Sequence, residues 1–212
     1  MIEVVTLRRR LFYGVAIVAL LGLVVEVWHA RSPGELVEAL LPKLSLSYEG
    51  NLPTWWSSSL LLASAIAAGA IARERPAWHR HWWGITAMLA WMSLDEAAEL
   101  HEHLAGLVGT SGVLYFDWVI PAAVVVALVA VIYWPFVRAL APTTRTRLIV
   151  AAAIYIAGAL VMELPLGWWT EQHGNEGLTY GLIDWVEETM EMIGASLALV
   201  AFIAHRQESR GA

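Results

Sequence analysis

Residues 91–103 read Trp91-Met-Ser-Leu-Asp95-Glu96-Ala-Ala-Glu99-Leu-His101-Glu102-His103, four carboxylates and two imidazoles inside an otherwise apolar segment of membrane-spanning length. An ionised side chain at the bilayer centre costs at least about 2.5–3.5 kcal/mol on insertion scales, so these groups require protons, cations or a wet cavity. On a helix of about 100° per residue with Asp95 at zero, Glu102 falls at about 340°, Glu99 at about 40°, His103 at about 80° and Glu96 at about 100°. They form one stripe roughly 120° wide, and His101 lies off it at about 240°. The alternative is a solvated helix face lining a polar cleft, or the end of the span dipping into the headgroups.

The composition around this stretch is that of a polytopic membrane protein. Of 212 residues, 58% are hydrophobic, 12 are Trp, and only 15% are charged. The net charge of −6 matters less than where the charges sit, and no basic patch suits nucleic acid. The absence of cysteine excludes disulfides, thiolate metal sites and cysteine nucleophiles. Any metal must therefore take oxygen and nitrogen ligands.

The fold expected is an all-α integral membrane bundle of six transmembrane helices in a single domain over 1–212, with a short interfacial helix after the first span. The spans fall at about 11–28, 55–71, 82–108, 116–136, 148–168 and 180–204. Arg8, Arg9 and Arg10 precede the first apolar run, as in a secretory signal. Trp28, His29 and Ala30 supply no small-x-small cleavage site, so the run reads as a retained span. Ser32, Pro33 and Glu35 match a capping box for a surface helix through Leu41, and the stretch from Tyr48 to Thr54 reads as a turn capping span two.

Orientation follows from the basic residues. Arg8, Arg9, Arg10, Arg73, Arg75, Arg80, Arg138, Arg145, Arg147, Arg206 and Arg210 lie on one side of the predicted spans, and only Arg31 and Lys43 on the other. The positive-inside rule then places both termini in the cytoplasm, with the chain in a bacterial inner (plasma) membrane.

The acids have no such partners. Between Arg80 and Arg206 the only basic residues are Arg138, Arg145 and Arg147, all in one loop, against Asp95, Glu96, Glu99, Glu102, Asp117, Glu163, Glu171, Glu176, Asp184, Glu187, Glu188 and Glu191. With Asp184 at zero, Glu191 falls at about 340°, Glu188 at about 40° and Glu187 at about 300°, a second stripe. Asp-x3-Glu-x2-Glu recurs in Asp95, Glu99, Glu102 and in Asp184, Glu188, Glu191, in spans of opposite direction, which suits an inverted repeat, although two acid-rich helices also match by chance. By depth, the span-three acids, Glu163 and Asp184 to Glu191 converge on the outer leaflet. Pro165, two residues after Glu163, is expected to free the carbonyl of Val161 and bend span five there.

The blocks Asn51-Leu-Pro-Thr-Trp-Trp-Ser-Ser58, Leu94-Asp-Glu-Ala-Ala-Glu-Leu-His-Glu102 and Val186-Glu-Glu-Thr-Met-Glu-Met-Ile-Gly194 resemble a family of uncharacterised bacterial multi-pass membrane proteins. The resemblance implies the six-span architecture and no activity. It pairs His101 with Glu102, whereas helical geometry favours His103; a local bulge would reconcile the two.

Three functions are compatible with these residues. The first is an intramembrane metal site near the outer leaflet, holding Fe, Mn or Zn through Asp95, Glu96, Glu99, His101, Glu102, His103, Glu163, Glu188 and Glu191, with Asp184 and Glu187 in support. With an open coordination position, that site would serve a metal-dependent oxidoreductase or hydrolase acting on a lipid-like or apolar substrate. The second is a divalent-cation or proton transporter or sensor, which the facing acid stripes and missing basic partners suit. The third is an accessory subunit of a membrane complex. The lipid bilayer is the one partner the composition requires, a homo-oligomer or a complex partner stays open, and Ser57, Ser58 and Ser59 read either as helix-packing residues or as substrate contacts.

Overall fold

The computed structural model describes residues 3–74, 77–101 and 109–211. All regular structure among them is helical, with no strand. Seven helices follow in order: α1 (Val4–Arg31), α2 (Glu35–Leu44), α3 (Leu52–Glu74), α4 (His79–Ala98), α5 (Val119–Ala139), α6 (Pro142–His173) and α7 (Leu178–Gly211). Within α6 the turn Ala157–Met162 is a π-helix. Four helices, α1, α3, α5 and α6, are long and apolar enough to cross a membrane. The acid-bearing α4 and α7 are not among those four.

Local chemistry sets the helix ends. Ser32 donates its N–H to the Trp28 carbonyl and so closes the last turn of α1. It is thereby taken from the expected capping box: α2 starts at Glu35 after an extended Gly34, with no side-chain cap. The turn before α3 behaves as the sequence suggests. Asn51 Oδ1 accepts the Thr54 N–H at 3.1 Å, and its amide donates to the Ser45 carbonyl at 2.8 Å, so one side chain caps the helix and pins the preceding loop.

Cross-helix contacts fix the directions. Ser58 of α3 meets Ser93 of α4, with its Oγ donating to the Ser93 carbonyl at 2.7 Å, while Gly69 further along α3 meets Thr86 earlier on α4, so these two run antiparallel. Trp185 Nε1 donates to the Ala19 carbonyl at 2.7 Å and Gly181 abuts Glu26, which sets α1 antiparallel to α7. Thr144 against His205 and Tyr155 against Gly194 do the same for α6 and α7. Close approach at these crossings depends on small residues: a Cβ at Gly194 would lie 2.7 Å from the Tyr155 backbone N.

The two ends of the bundle differ in kind. At one, Glu74 of α3 receives Arg206 at 2.5 Å and Arg210 at 2.5 Å, both from α7, and Arg147 reaches Glu208 at 2.7 Å. Above this arginine end lies a buried apolar plug of Ala68, Ile71, Ala72, Trp82, Phe136 and Phe202, with His205 stacked on Trp82. The opposite end holds α2, the loop from Ser45 to Asn51, and the acids.

Of the third expected segment, 82–108, residues 82–101 lie among those described. Its helix stops at Ala98, and Glu99 adopts a left-handed backbone with φ 54°. The cause lies within the motif: Asp95 turns back to bind His101, drawing the chain out of the helix. Among the described residues, Glu99 therefore leaves the helix face that carries Asp95 and Glu96, and Glu102 and His103 lie outside those residues. The matching Asp184, Glu188 and Glu191 do lie on one unbroken helix, so the two motifs share a spacing and differ in shape.

Candidate functional site: a file of buried acids

Long α7 supplies the frame. Its Asp184, Glu187 and Glu191 are all buried, and Glu188 is half-buried, because consecutive turns of this helix face α1, α3, α4 and α6 together. Every neighbouring helix then contributes an oxygen. At the end away from the arginines, α1 offers Glu26, buried, which accepts a hydrogen bond from the Ser45 hydroxyl. Gly181 makes this possible, since a Cβ there would stand 2.8 Å from the Glu26 carboxyl carbon. Asp184 lies within electrostatic reach of Glu26 and beside the Ser47 hydroxyl.

Deeper in the bundle, Glu187 faces Glu163 of α6, with Asp184 and Glu191 on its own helix. Glu188 bears on Glu96 of α4. Glu191 bears on Glu96 and Glu163 and is hydrogen-bonded to the Tyr155 hydroxyl, while Ser57 of α3 places its hydroxyl beside Glu96. The result is a file from Glu26 through Asp184, Glu187 and Glu188 to Glu191 and Glu96, with hydroxyls of Ser45, Ser47, Ser57 and Tyr155 alongside. A hydroxyl both donates and accepts, so it matches a carboxyl in either protonation state. Arg147, Arg206 and Arg210 are engaged with Glu208 and Glu74 at the arginine end.

The α6 π-turn borders this file. Glu163, buried, is the first residue after it, and Gly158 within it packs on α7, where a Cβ would stand 2.9 Å from both the Glu187 carbonyl oxygen and Glu191 Cγ. This π-turn lies just before Pro165 and beside the acids, and such turns recur at functional sites of helices.

The chain belongs to the family Domain of unknown function (DUF8692), whose model matches residues 10–206. No curated protein and no solved structure matches the chain. The match includes every residue of the file and all or most of each helix, leaving out the start of α1 and the end of α7.

The structure divides the sequence-predicted residues. Glu96, Glu163, Glu188 and Glu191 share the file, together with the supporting Asp184 and Glu187. Asp95 turns instead to His101, whose ring centre lies 4.9 Å from that of Trp118. Glu99 ends α4, and Glu102 and His103 lie outside the described residues. Among the described residues, no three carboxylates or imidazoles gather closely enough to hold one metal ion. Two acids counted as uncompensated take backbone donors: Asp117 accepts the Gly109 N–H at 2.9 Å, and Glu171 the Gly112 N–H at 2.8 Å. Glu26, Ser45, Ser47 and Tyr155 escape sequence reasoning. Glu26 is signalled only as a lone acid inside the first apolar run, and the others come from elements distant in sequence.

Proposed function

We propose that the chain is a six-span inner-membrane protein with both termini in the cytoplasm, and that its acid file is the cation path of a transporter. Four helices are apolar enough to span; α4 and α7 would cross with their acids turned inward, among their neighbours. The arginine end would face the cytoplasm by the positive-inside rule. Glu191 would then sit about 22 Å from Arg206 along α7, near mid-membrane, with Asp184 and Glu26 closer to the outer surface.

The observation that carries the reading is the alternation of carboxyl and hydroxyl oxygens from five helices or loops along α7, free of lysine and arginine. Such a file passes a cation from oxygen to oxygen, whereas a packing role is served better by apolar side chains. In this reading the plug of Trp82, Phe136 and Phe202, closed by Glu74 with its two arginines, serves as the inner gate of the path. Cation flux into sealed proteoliposomes, abolished by Glu191→Gln, is the test.

A second reading rests on Asp95 and His101. A carboxylate that holds Nδ1 of an imidazole leaves Nε2 for a metal, as in carboxylate–histidine–metal arrangements. With Glu99, Glu102 and His103 nearby in sequence, this segment would hold Fe, Mn or Zn for a membrane oxidoreductase or hydrolase. Metal retained through dialysis, without flux, favours that account.

A further inference from the structure

Glu187 is 6% exposed, its Oε2 has no hydrogen-bond partner, and the charges that bear on it are all acids: Asp184 and Glu191 on its own helix, and Glu163 facing it from α6. Among the described residues, the neighbouring elements bring further acids and hydroxyls rather than a lysine or arginine. Glu26 of α1 bears on Asp184, Glu96 of α4 bears on Glu188 and Glu191, and the Tyr155 hydroxyl of α6 is hydrogen-bonded to Glu191. An ionised carboxylate at 187 would lack both a counter-charge and a donor, and a protein interior tolerates neither fault cheaply.

A proton removes both faults with no further ligand, because it bonds to the carboxyl oxygen itself. A metal ion needs several oxygens around it, and among the described residues no three carboxylates or imidazoles gather closely enough to hold one. The hydroxyls fit the same ion. Ser47, beside Asp184, and Ser57, beside Glu96, each keep a buried Oγ without a partner of hydrogen-bond geometry. Each therefore has a donor to turn towards a carboxylate when a proton leaves it.

We propose that the cation carried along α7 is the proton and that Glu187 is the residue that binds it; this rests on the transporter reading above. Binding forms an O–H bond on the Glu187 carboxylate. Release breaks that bond and passes the proton to a neighbouring acid or to water, so H⁺ alone is exchanged.

The test joins two readouts on the full chain in proteoliposomes. One is proton uptake, reported by a pH-sensitive dye under an imposed membrane potential in buffer free of sodium and divalent cations. The other is the infrared carbonyl band of protonated carboxyl groups, followed through a pH titration. The expected result is proton uptake by the wild type, lost in Glu187→Gln and kept in Glu171→Gln, with a band component that shifts in heavy water and is missing from Glu187→Gln. Should Glu187→Gln not fold, Glu187→Asp decides: the pH dependence of uptake and that of the band must move together. Proton uptake unchanged in Glu187→Gln, or a band identical in wild type and variant, overturns the proposal. Uptake of sodium or a divalent cation without protons, and with no Glu187 band, sinks the proton site and leaves the transporter reading standing; a titrating Glu187 band with no flux of any cation does the reverse.

Discussion

The Asp95 carboxylate binds a single residue twice: Oδ1 accepts the backbone N–H of His101 at 2.8 Å and Oδ2 meets its ring Nδ1 at 3.1 Å. This closes the turn that follows α4 and holds Glu99 at φ 54°, a conformation that costs a non-glycine residue about 1–2 kcal/mol. Asp95→Ala removes both bonds and is expected to destabilise the protein by about 1–2 kcal/mol. Asp95→Asn, which keeps one acceptor for the N–H, should lose less. Thermal unfolding of both variants in detergent checks this, and equal Tm for Asp95→Ala and wild type contradicts it.

Packing of α6 on α7 depends on glycine at 194, where an added Cβ would stand 2.7 Å from Tyr155 N and 2.8 Å from its Cα. Backbone cannot yield as a flexible side chain can. Gly194→Ala is expected to cost about 1–3 kcal/mol. Gly34→Ala, where nothing lies within 4 Å of the added carbon, is the matched control and should leave stability nearly unchanged.

Much of this bundle is legible in the sequence, and the part that is not has a definite cause. Apolar runs locate helices because burial and hydropathy are local properties of a segment, so α1, α3, α5, α6 and α7 overlie the expected spans. Reading the span-three acids as one helix face assumed uninterrupted 100° steps; the bond from Asp95 to His101 breaks that assumption within the motif itself. Stripe geometry does hold on α7, where Asp184, Glu188 and Glu191 stay on one helix. The oxygens that Ser45, Ser47 and Tyr155 add to the file are not legible in the sequence, because each depends on which element packs beside α7.

The arginine end should be electrostatic in its stability. Glu74 receives both Arg206 and Arg210 on a partly exposed surface, where salt screens such contacts. Glu74→Gln is expected to lower Tm at low ionic strength and to differ little from wild type in molar salt. A deficit independent of salt would argue that Glu74 packs rather than pairs.

The topology makes its own prediction, and a cysteine-free chain is suited to testing it. Single cysteines at Glu49 and Asn175, both exposed and away from the arginine end, should react with an impermeant maleimide added to intact cells. A cysteine at Thr143, exposed at the arginine end, should react only after the membrane is opened. Labelling of Thr143→Cys in intact cells would reverse the orientation.

The central claim is that the acids along α7 conduct a cation, and the direct measurement is cation uptake by proteoliposomes under an imposed inward gradient and membrane potential. Purified wild type, Glu191→Gln and Glu96→Gln would be compared at matched incorporation, with radiosodium and a pH-sensitive dye read in parallel. The account predicts uptake by wild type and loss in both variants while each still folds. Wild-type vesicles no more permeable than empty ones, or variants that conduct as wild type does, would contradict it.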